Sequence, residues 1–153
     1  MGGTIVCGVT ESPEATSAAE LAHALGSRLG LRLVLVHVID DLLPGADDSM
    51  TSRQRQKGAD TRLTALAREI GNGTERRVVV GDRAEALAQV AAEEAADLIV
   101  LGSRSTGIGG RKLRCTLACE LEAATPVPVV VAPPATRQRS ERRLSVATAA
   151  FTR

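Results

Sequence analysis

Short apolar runs alternate along this chain with longer segments in which apolar residues recur every three or four positions, and glycine or proline stands at most junctions. The short runs are typical of buried strands, and the longer segments are typical of helices with one apolar face. Five runs alternate with four helical segments. This order predicts a three-layer α/β/α sandwich around a five-stranded parallel sheet, with right-handed crossovers.

The predicted strands cover residues 4–9, 33–38, 77–80, 98–101 and 127–131, and the predicted helices cover about 13–29, 50–70, 82–96 and 116–124. Ser12 and Pro13 are residues that favour a helix start, and Gly30 suits a left-handed helix end. Asp82 is predicted to cap the third helix. Residues 1–133 are therefore expected to form one α/β domain.

The net charge of +1 conceals an uneven distribution, because the last twenty residues hold five arginines and one glutamate. The preceding residues then hold 14 basic and 17 acidic side chains. Such a mildly acidic body disfavours duplex DNA as a partner, and one Phe without Tyr or Trp disfavours base-stacking nucleic-acid readers. Residues 134–153 have no core-facing pattern and are predicted to be a disordered tail.

The chain has no apolar run near the roughly 20 residues that a membrane-spanning helix needs, and no basic region leads into an apolar stretch at its start. A cytoplasmic protein without membrane contact is expected. Its three cysteines are an odd number without a Cys-x-x-Cys pair, so neither a disulfide framework nor a structural zinc site follows. All three are predicted to be packing residues. Cys115 is also the candidate for a reactive thiol, because it lies beside Arg114 near a helix start.

The connection after the fourth strand is the best candidate for a binding site. Ligands of open parallel sheets bind beyond the carboxyl ends of the strands, and long loops in compact domains are usually functional. This loop carries four glycines and four cations ahead of a helix: Gly102, Gly107, Gly109, Gly110, Arg104, Arg111, Lys112 and Arg114. It could bind phosphate, or it could be a solvated surface loop. A Walker-type motif is absent, since Leu113 follows Lys112.

Several stretches together resemble the universal stress proteins, and the likeness covers about residues 4–133. The matching sequences are LVLVHVID at 33–40, VGDRAE at 80–85, ADLIVLGS at 96–103 and TPVPVVV at 125–131. The resemblance implies the strand order 3-2-1-4-5, an architecture shared with the adenine-nucleotide α-hydrolases. The loops after the first and fourth strands would then face one pocket.

Nucleotide-binding members of that family use Gly-x2-Gly-x9-Gly-Ser/Thr after the fourth strand, an aspartate after the first strand, and backbone near the end of the second. The resemblance carries these roles onto Thr10, Val38, Gly102, Ser105, Cys115, Thr116 and Leu117. Two of the three glycines and the aspartate are thus replaced. A Cβ at a glycine position costs strain or room, and Thr10 offers no carboxylate for a metal.

The resemblance implies a stress-response regulatory or binding module, and these departures predict that its adenine-nucleotide pocket is weakened, takes AMP or adenosine more readily than Mg-ATP and holds no metal. One alternative is a functional ATP or AMP binder despite the losses, and another is a nucleotide-free dimeric interaction protein. An α-hydrolase-type enzyme would need a Ser-Gly-Gly-x-Asp-Ser loop after the first strand, which is absent. No catalytic set is identified; His37 is interpreted as a satisfied core histidine and His23 as a surface residue.

The fifth strand, Val127 to Val131, would lie at an edge of the sheet if the family order holds. A bare apolar edge invites pairing with another strand, and the same edge forms a two-fold dimer in many relatives. The sequence therefore predicts a homodimer through this strand, with Pro128 placed where its missing N–H does no harm.

Overall fold

The computed structural model describes residues 2–10, 14–40, 49–71, 73–102 and 116–133. In these ranges strands and helices alternate as predicted. The strands are β1 (Thr4–Gly8), β2 (Arg32–Ile39), β3 (Glu75–Val80), β4 (Leu98–Gly102) and β5 (Val129–Ala132). The helices are α1 (Glu14–Leu29), α2 (Ser49–Ile70), α3 (Arg83–Glu93) and α4 (Thr116–Ala124).

All five strands pair in parallel in the order β3-β2-β1-β4-β5, which confirms the predicted sheet. β1 lies at the centre, where Cys7 stands opposite Leu35 of β2 and Val100 of β4. The strand order reverses at β1, since the chain proceeds to β2 and β3 on one side and returns to β4 and β5 on the other.

Two apolar clusters cover the two faces of the sheet. α1 and α2 pack on one face, and α3 and α4 pack on the other. Consecutive residues of β1 point to opposite faces, yet Ile5, Val6 and Cys7 are all fully buried. Burial on both faces explains why the inner strands are continuous apolar runs rather than alternating ones.

Two predicted helix boundaries are confirmed by their hydrogen bonds. Gly30 ends α1 with a φ of 67°, and the N–H of Leu31 donates to the carbonyl of Gly26 at 2.9 Å. Asp82 caps α3, because its carboxylate accepts a hydrogen bond from the N–H of Glu85 at 3.0 Å. The predicted start of α1 at Ser12 and Pro13 lies outside the described residues.

Three predicted features differ from the structure. α3 ends at Glu93 rather than near residue 96, because Ala95 takes a left-handed φ of 48° and closes the helix without a glycine. β5 begins at Val129, and before it Pro128 uses only its carbonyl, which accepts from the N–H of Ile99 at 2.9 Å. The three- and four-residue spacing from Ala22 and Leu25 predicts that Leu29 faces the core, whereas Leu29 is 61% exposed in the last turn of α1.

Ion pairs tie β2 and β3 to the end of α3 at the amino-terminal edge of the sheet. Arg32 contacts Glu75 at 2.9 Å and Glu94 at 2.6 Å. Arg77 contacts Glu93 at 2.7 Å and Glu94 at 3.3 Å. Two arginines thus share the carboxylate of Glu94.

Within the described part of the chain, no helix has the length and apolar character that crossing a membrane requires.

Candidate functional site

The carboxyl ends of β1 and β4 lie side by side. Gly8, the last residue of β1, stands opposite Leu101, and Gly102 ends β4 one residue later. Because the strands are parallel, the chain leaves both of them at the same edge of the sheet, where the strand order reverses. This is the place at which open α/β sheets bind their ligands.

The floor of this edge is closed by apolar side chains around Gly8. A methyl group at Gly8 would lie 2.9 Å from Cδ2 of Leu101 and 3.3 Å from Cδ1 of Leu87 in α3. The absence of a side chain therefore lets α3 and β4 pack directly against the end of β1. A glycine inside an apolar strand run is a signal of such close approach, and it was not used in the sequence analysis.

Both backbone polar groups of Val9, the first residue after β1, form hydrogen bonds with β2. Its N–H donates to the carbonyl of Val36 at 2.8 Å, and its carbonyl accepts a hydrogen bond from Nδ1 of His37 at 2.9 Å. This hydrogen bond agrees with the interpretation of His37 as a satisfied histidine, but the residue is half-buried and not part of the core. Thr10, the next residue and the last described one before the gap at 11–13, is half-buried.

The other predicted site residues lie on different elements. Val38 is half-buried on β2 opposite Val79, and it packs against the cluster under α3 and α4. Thr116 begins α4, and Leu117 packs against the same cluster. Ser105, Cys115 and the cations at 104, 111, 112 and 114 lie outside the described residues, as does the tail at 134–153. The topology brings together the strand ends at Gly8 and Gly102, and Thr10 lies two residues beyond the first of these. Contact of any of these residues with a nucleotide stays a prediction.

The described cysteines occupy different environments. Cys7 is buried in the core, and burial raises the pKa of its thiol to about 12. Cys119 is exposed on α4, so the prediction that it is a packing residue is wrong. Helical spacing from Leu117 and Leu121 turns position 119 away from the core, because two residues correspond to about half a turn of an α-helix.

No three histidine, cysteine or acidic side chains come together as a possible metal site in the ranges that the structure covers.

A comparison with protein-family models matches residues 1–133 to the model of the universal stress protein family. The chain belongs to this family. The expected family resemblance is thereby confirmed, and it extends over the whole α/β domain.

Two curated relatives illustrate the range of lengths among universal stress proteins. One from Mycobacterium tuberculosis is 34% identical over 134 residues, which are 84% of this chain and 44% of that protein. The chain thus spans less than half the length of the first curated relatives it matches. A universal stress protein from Thermus aquaticus is 30% identical over 133 residues, which are 84% of this chain and 96% of that protein.

Known structures of universal stress proteins share the fold. One, solved in complex with cAMP, has a TM-score of 0.65 and 22% identity, and the match covers 87% of this chain and 98% of that one. Another, from Archaeoglobus fulgidus in complex with dAMP, has a TM-score of 0.61 and 18% identity over 85% of this chain and 97% of that one. At these identities the likeness shows the common architecture.

Proposed function

We propose that this universal stress protein is a cytoplasmic stress-response binding module whose pocket takes adenine monophosphates weakly and Mg-ATP more weakly still. The observation that carries the proposal is the pairing of β1 with β4, because the segment that contains Thr10 and the loop that follows Gly102 then leave the sheet at the same edge. The complexes of two structural neighbours with cAMP and dAMP support an adenine nucleotide as the ligand class. We propose no catalytic activity.

The weakening follows from the side chains at the family's nucleotide positions. Thr10 stands where the family has an aspartate, and a hydroxyl is a poor replacement for a carboxylate in holding Mg²⁺. Cys115 and Ser105 stand where the motif has glycines, whose missing Cβ allows phosphate to approach the backbone. A monophosphate makes fewer demands on these positions than a triphosphate with its metal.

Calorimetric titration of nucleotide-free protein with AMP, cAMP and Mg-ATP tests the proposal. We expect weak binding of the two monophosphates and weaker binding of Mg-ATP. The triple variant T10D/S105G/C115G restores the family residues and is expected to bind Mg-ATP more tightly, with the magnesium dependence arising from T10D. Cys119→Ser is the matched control and should behave as the wild type.

Two results would count against this function. A low-micromolar Kd for Mg-ATP in the wild type would refute the weakening and favour the alternative of a functional ATP binder. Failure of both the wild type and the triple variant to bind any of the three nucleotides would favour the nucleotide-free interaction protein. Mass spectrometry of the denatured protein's supernatant, before titration, detects any nucleotide that copurifies.

We also propose a homodimer through the free edge of β5. This strand ends the sheet, and Val131 on it is 41% exposed. An apolar edge strand with unpaired backbone groups favours pairing with a second copy.

Val131→Lys is expected to shift the mass measured by light scattering from dimer towards monomer. Val80→Lys, on the opposite edge strand β3 at 50% exposure, is the matched control and should stay dimeric; a monomeric wild type would overturn the proposal.

A further inference from the structure

We propose that His37 is a positioning residue of the nucleotide site, because its imidazole fixes the point at which the chain leaves β1. This inference rests on the proposed function for its ligand. The geometric part concerns Val9 and His37 alone and is testable without a nucleotide.

His37 is a polar residue in an otherwise apolar stretch of β2. Residues 33–39 read LVLVHVI, and the histidine is the one polar side chain among these seven. The preceding inner positions of β2, Leu33 and Leu35, are buried aliphatic residues on the same side of the strand. An aliphatic residue would suit position 37 if packing were its only role. The hydrogen bond to Val9 is what distinguishes it.

The hydrogen bond between His37 and Val9 continues the hydrogen bonding of β1 with β2 one residue past the end of β1. The N–H of Val9 is bound by the main chain of β2 at Val36, whereas its carbonyl is bound by the side chain of His37. Val9 is only 9% exposed, so water is a poor substitute for the lost donor. With both polar groups of Val9 held, the direction in which the chain continues into Thr10 is determined.

The tautomer of His37 follows from the acceptor. A carbonyl only accepts, so Nδ1 carries the proton, and in the neutral ring Nε2 carries none. The donor that holds the carbonyl of Val9 is therefore Nδ1 of the neutral ring.

The hydrogen bond to Val9 affects binding through Thr10, the next residue in the chain. Thr10 is the first loop residue at the proposed site, and binding groups require support that holds them within about 0.5 Å. Loss of the His37 donor is expected to loosen Val9 and Thr10 and thereby to weaken AMP binding. His37 would act only through Val9 and would not touch the nucleotide.

Three substitutions at position 37 separate the donor from the shape of the side chain. In His37→Asn the amide nitrogen occupies the place of Nδ1 and keeps a donor for Val9. In His37→Gln the amide nitrogen aligns with Nε2 instead, and His37→Leu has no donor. His23→Asn, which alters the chain's other histidine on α1, is the control.

Two readouts are measured on the full chain. Hydrogen exchange by mass spectrometry at residues 9 and 10 is expected to accelerate about 3- to 10-fold in the Leu and Gln variants, and calorimetry should show AMP binding weakened by a similar factor. His37→Asn should restore both, and His23→Asn should change neither. A purely structural role would instead accelerate exchange throughout the sheet, with no rescue by asparagine.

Nitrogen-15 NMR of the imidazole provides a separate test and should find Nδ1 protonated in the neutral ring. An unprotonated Nδ1, or unchanged exchange at residues 9 and 10 in the Leu variant, would overturn the inference. If the Leu variant does not fold, the Gln and Asn variants decide. If the wild type binds no nucleotide, the proposed function fails, while local exchange and its rescue by asparagine still decide the role of His37. If AMP binds normally to the Leu variant, the link from His37 to the site is refuted.

Discussion

Thr4 and Asp97 exchange two hydrogen bonds across the sheet. The N–H of Thr4 donates to the Asp97 carboxylate at 2.9 Å, and the N–H of Asp97 donates to the carbonyl of Thr4 at 2.8 Å. Thr4 begins β1 and Asp97 directly precedes β4, so the pair sets where these two strands begin to run together. Their common register places Gly8 opposite Leu101 at the far end, which is the edge of the candidate site.

Removing the Asp97 side chain should weaken this pairing. Asp97→Ala is expected to lower the free energy of unfolding by about 1–2 kcal/mol, since the N–H of Thr4 loses its acceptor in a partly buried place. Asp97→Asn keeps an acceptor oxygen and should lose less. Urea denaturation measures the stability of both variants, and Glu120→Ala, at an exposed position of α4, is the control. Equal stability of Asp97→Ala and Glu120→Ala would show that the bond contributes nothing.

A side chain at Gly8 should disturb the floor of the site. Gly8→Ala places a methyl group against Leu101 and Leu87, and overpacking of this kind costs about 1–3 kcal/mol of unfolding free energy. Gly58→Ala in α2 is the control, because a methyl group there meets only Arg62 Nη2 at 3.7 Å. Alanine within a helix is favoured over glycine by about 0.5–1 kcal/mol. Denaturation curves that rank the two variants in the opposite order would contradict this prediction.

Replacing Arg32 should destabilise the amino-terminal edge of the sheet. Arg32→Met removes contacts to Glu75 and Glu94 and leaves Glu94 with one arginine partner. We expect a lower midpoint of thermal unfolding, with a difference from the wild type that shrinks in 1 M salt, where ion pairs are screened over about 3 Å. Arg76→Met breaks only the exposed pair with Asp60 and should have little effect. If the difference in unfolding midpoint did not depend on salt, the destabilisation would come from lost packing rather than from lost charge interactions.

The Glu93 carboxylate should titrate below its ordinary range. The hydrogen bond from Arg77, followed by that from Gln89, lowers the pKa of Glu93 below 4.5. Because the folded-state pKa is lowered, the stabilisation is complete above about pH 4.5 and disappears as the pH falls through the folded-state value. In Arg77→Gln the pKa should rise towards 4.5, as measured by carbon-13 NMR of the carboxyl group. An unchanged pKa in this variant would refute the role of Arg77.

The exposed thiol of Cys119 should react before that of Cys7. Native protein treated briefly with iodoacetamide at pH 8 is expected to show labelled Cys119 and unlabelled Cys7, because Cys7 is buried and its thiol pKa is about 12. Peptide mass spectrometry gives the labelled fractions, and Cys119→Ser is the control. Appreciable native labelling of Cys7 would mean that the core opens during the reaction.

Helix ends illustrate which local features are predictable. Gly30 was identified as the end of α1 because glycine adopts positive φ without strain, and the structure confirms it. Ala95 adopts a positive φ just after α3, and an alanine in the sequence does not predict such a conformation. The interior contacts of the sheet impose that turn, since the chain must reach Asp97 and pair with Thr4. The predicted third helix was too long for this reason.

The pattern of apolar residues by itself determined the number and order of strands and helices, because burial on both faces of a parallel sheet requires continuous apolar runs and one-sided helices. The length, glycines and cations of the loop at 102–116 indicated it as the candidate site. Only the tertiary structure decided which atoms hold the two ends of β1. His37 reaches Val9 across 28 positions and Thr4 meets Asp97 across 93, and contacts at such separations exist only once the strands have paired in register. A glycine, a histidine and an aspartate acquire their roles from neighbours that sequence spacing does not reveal.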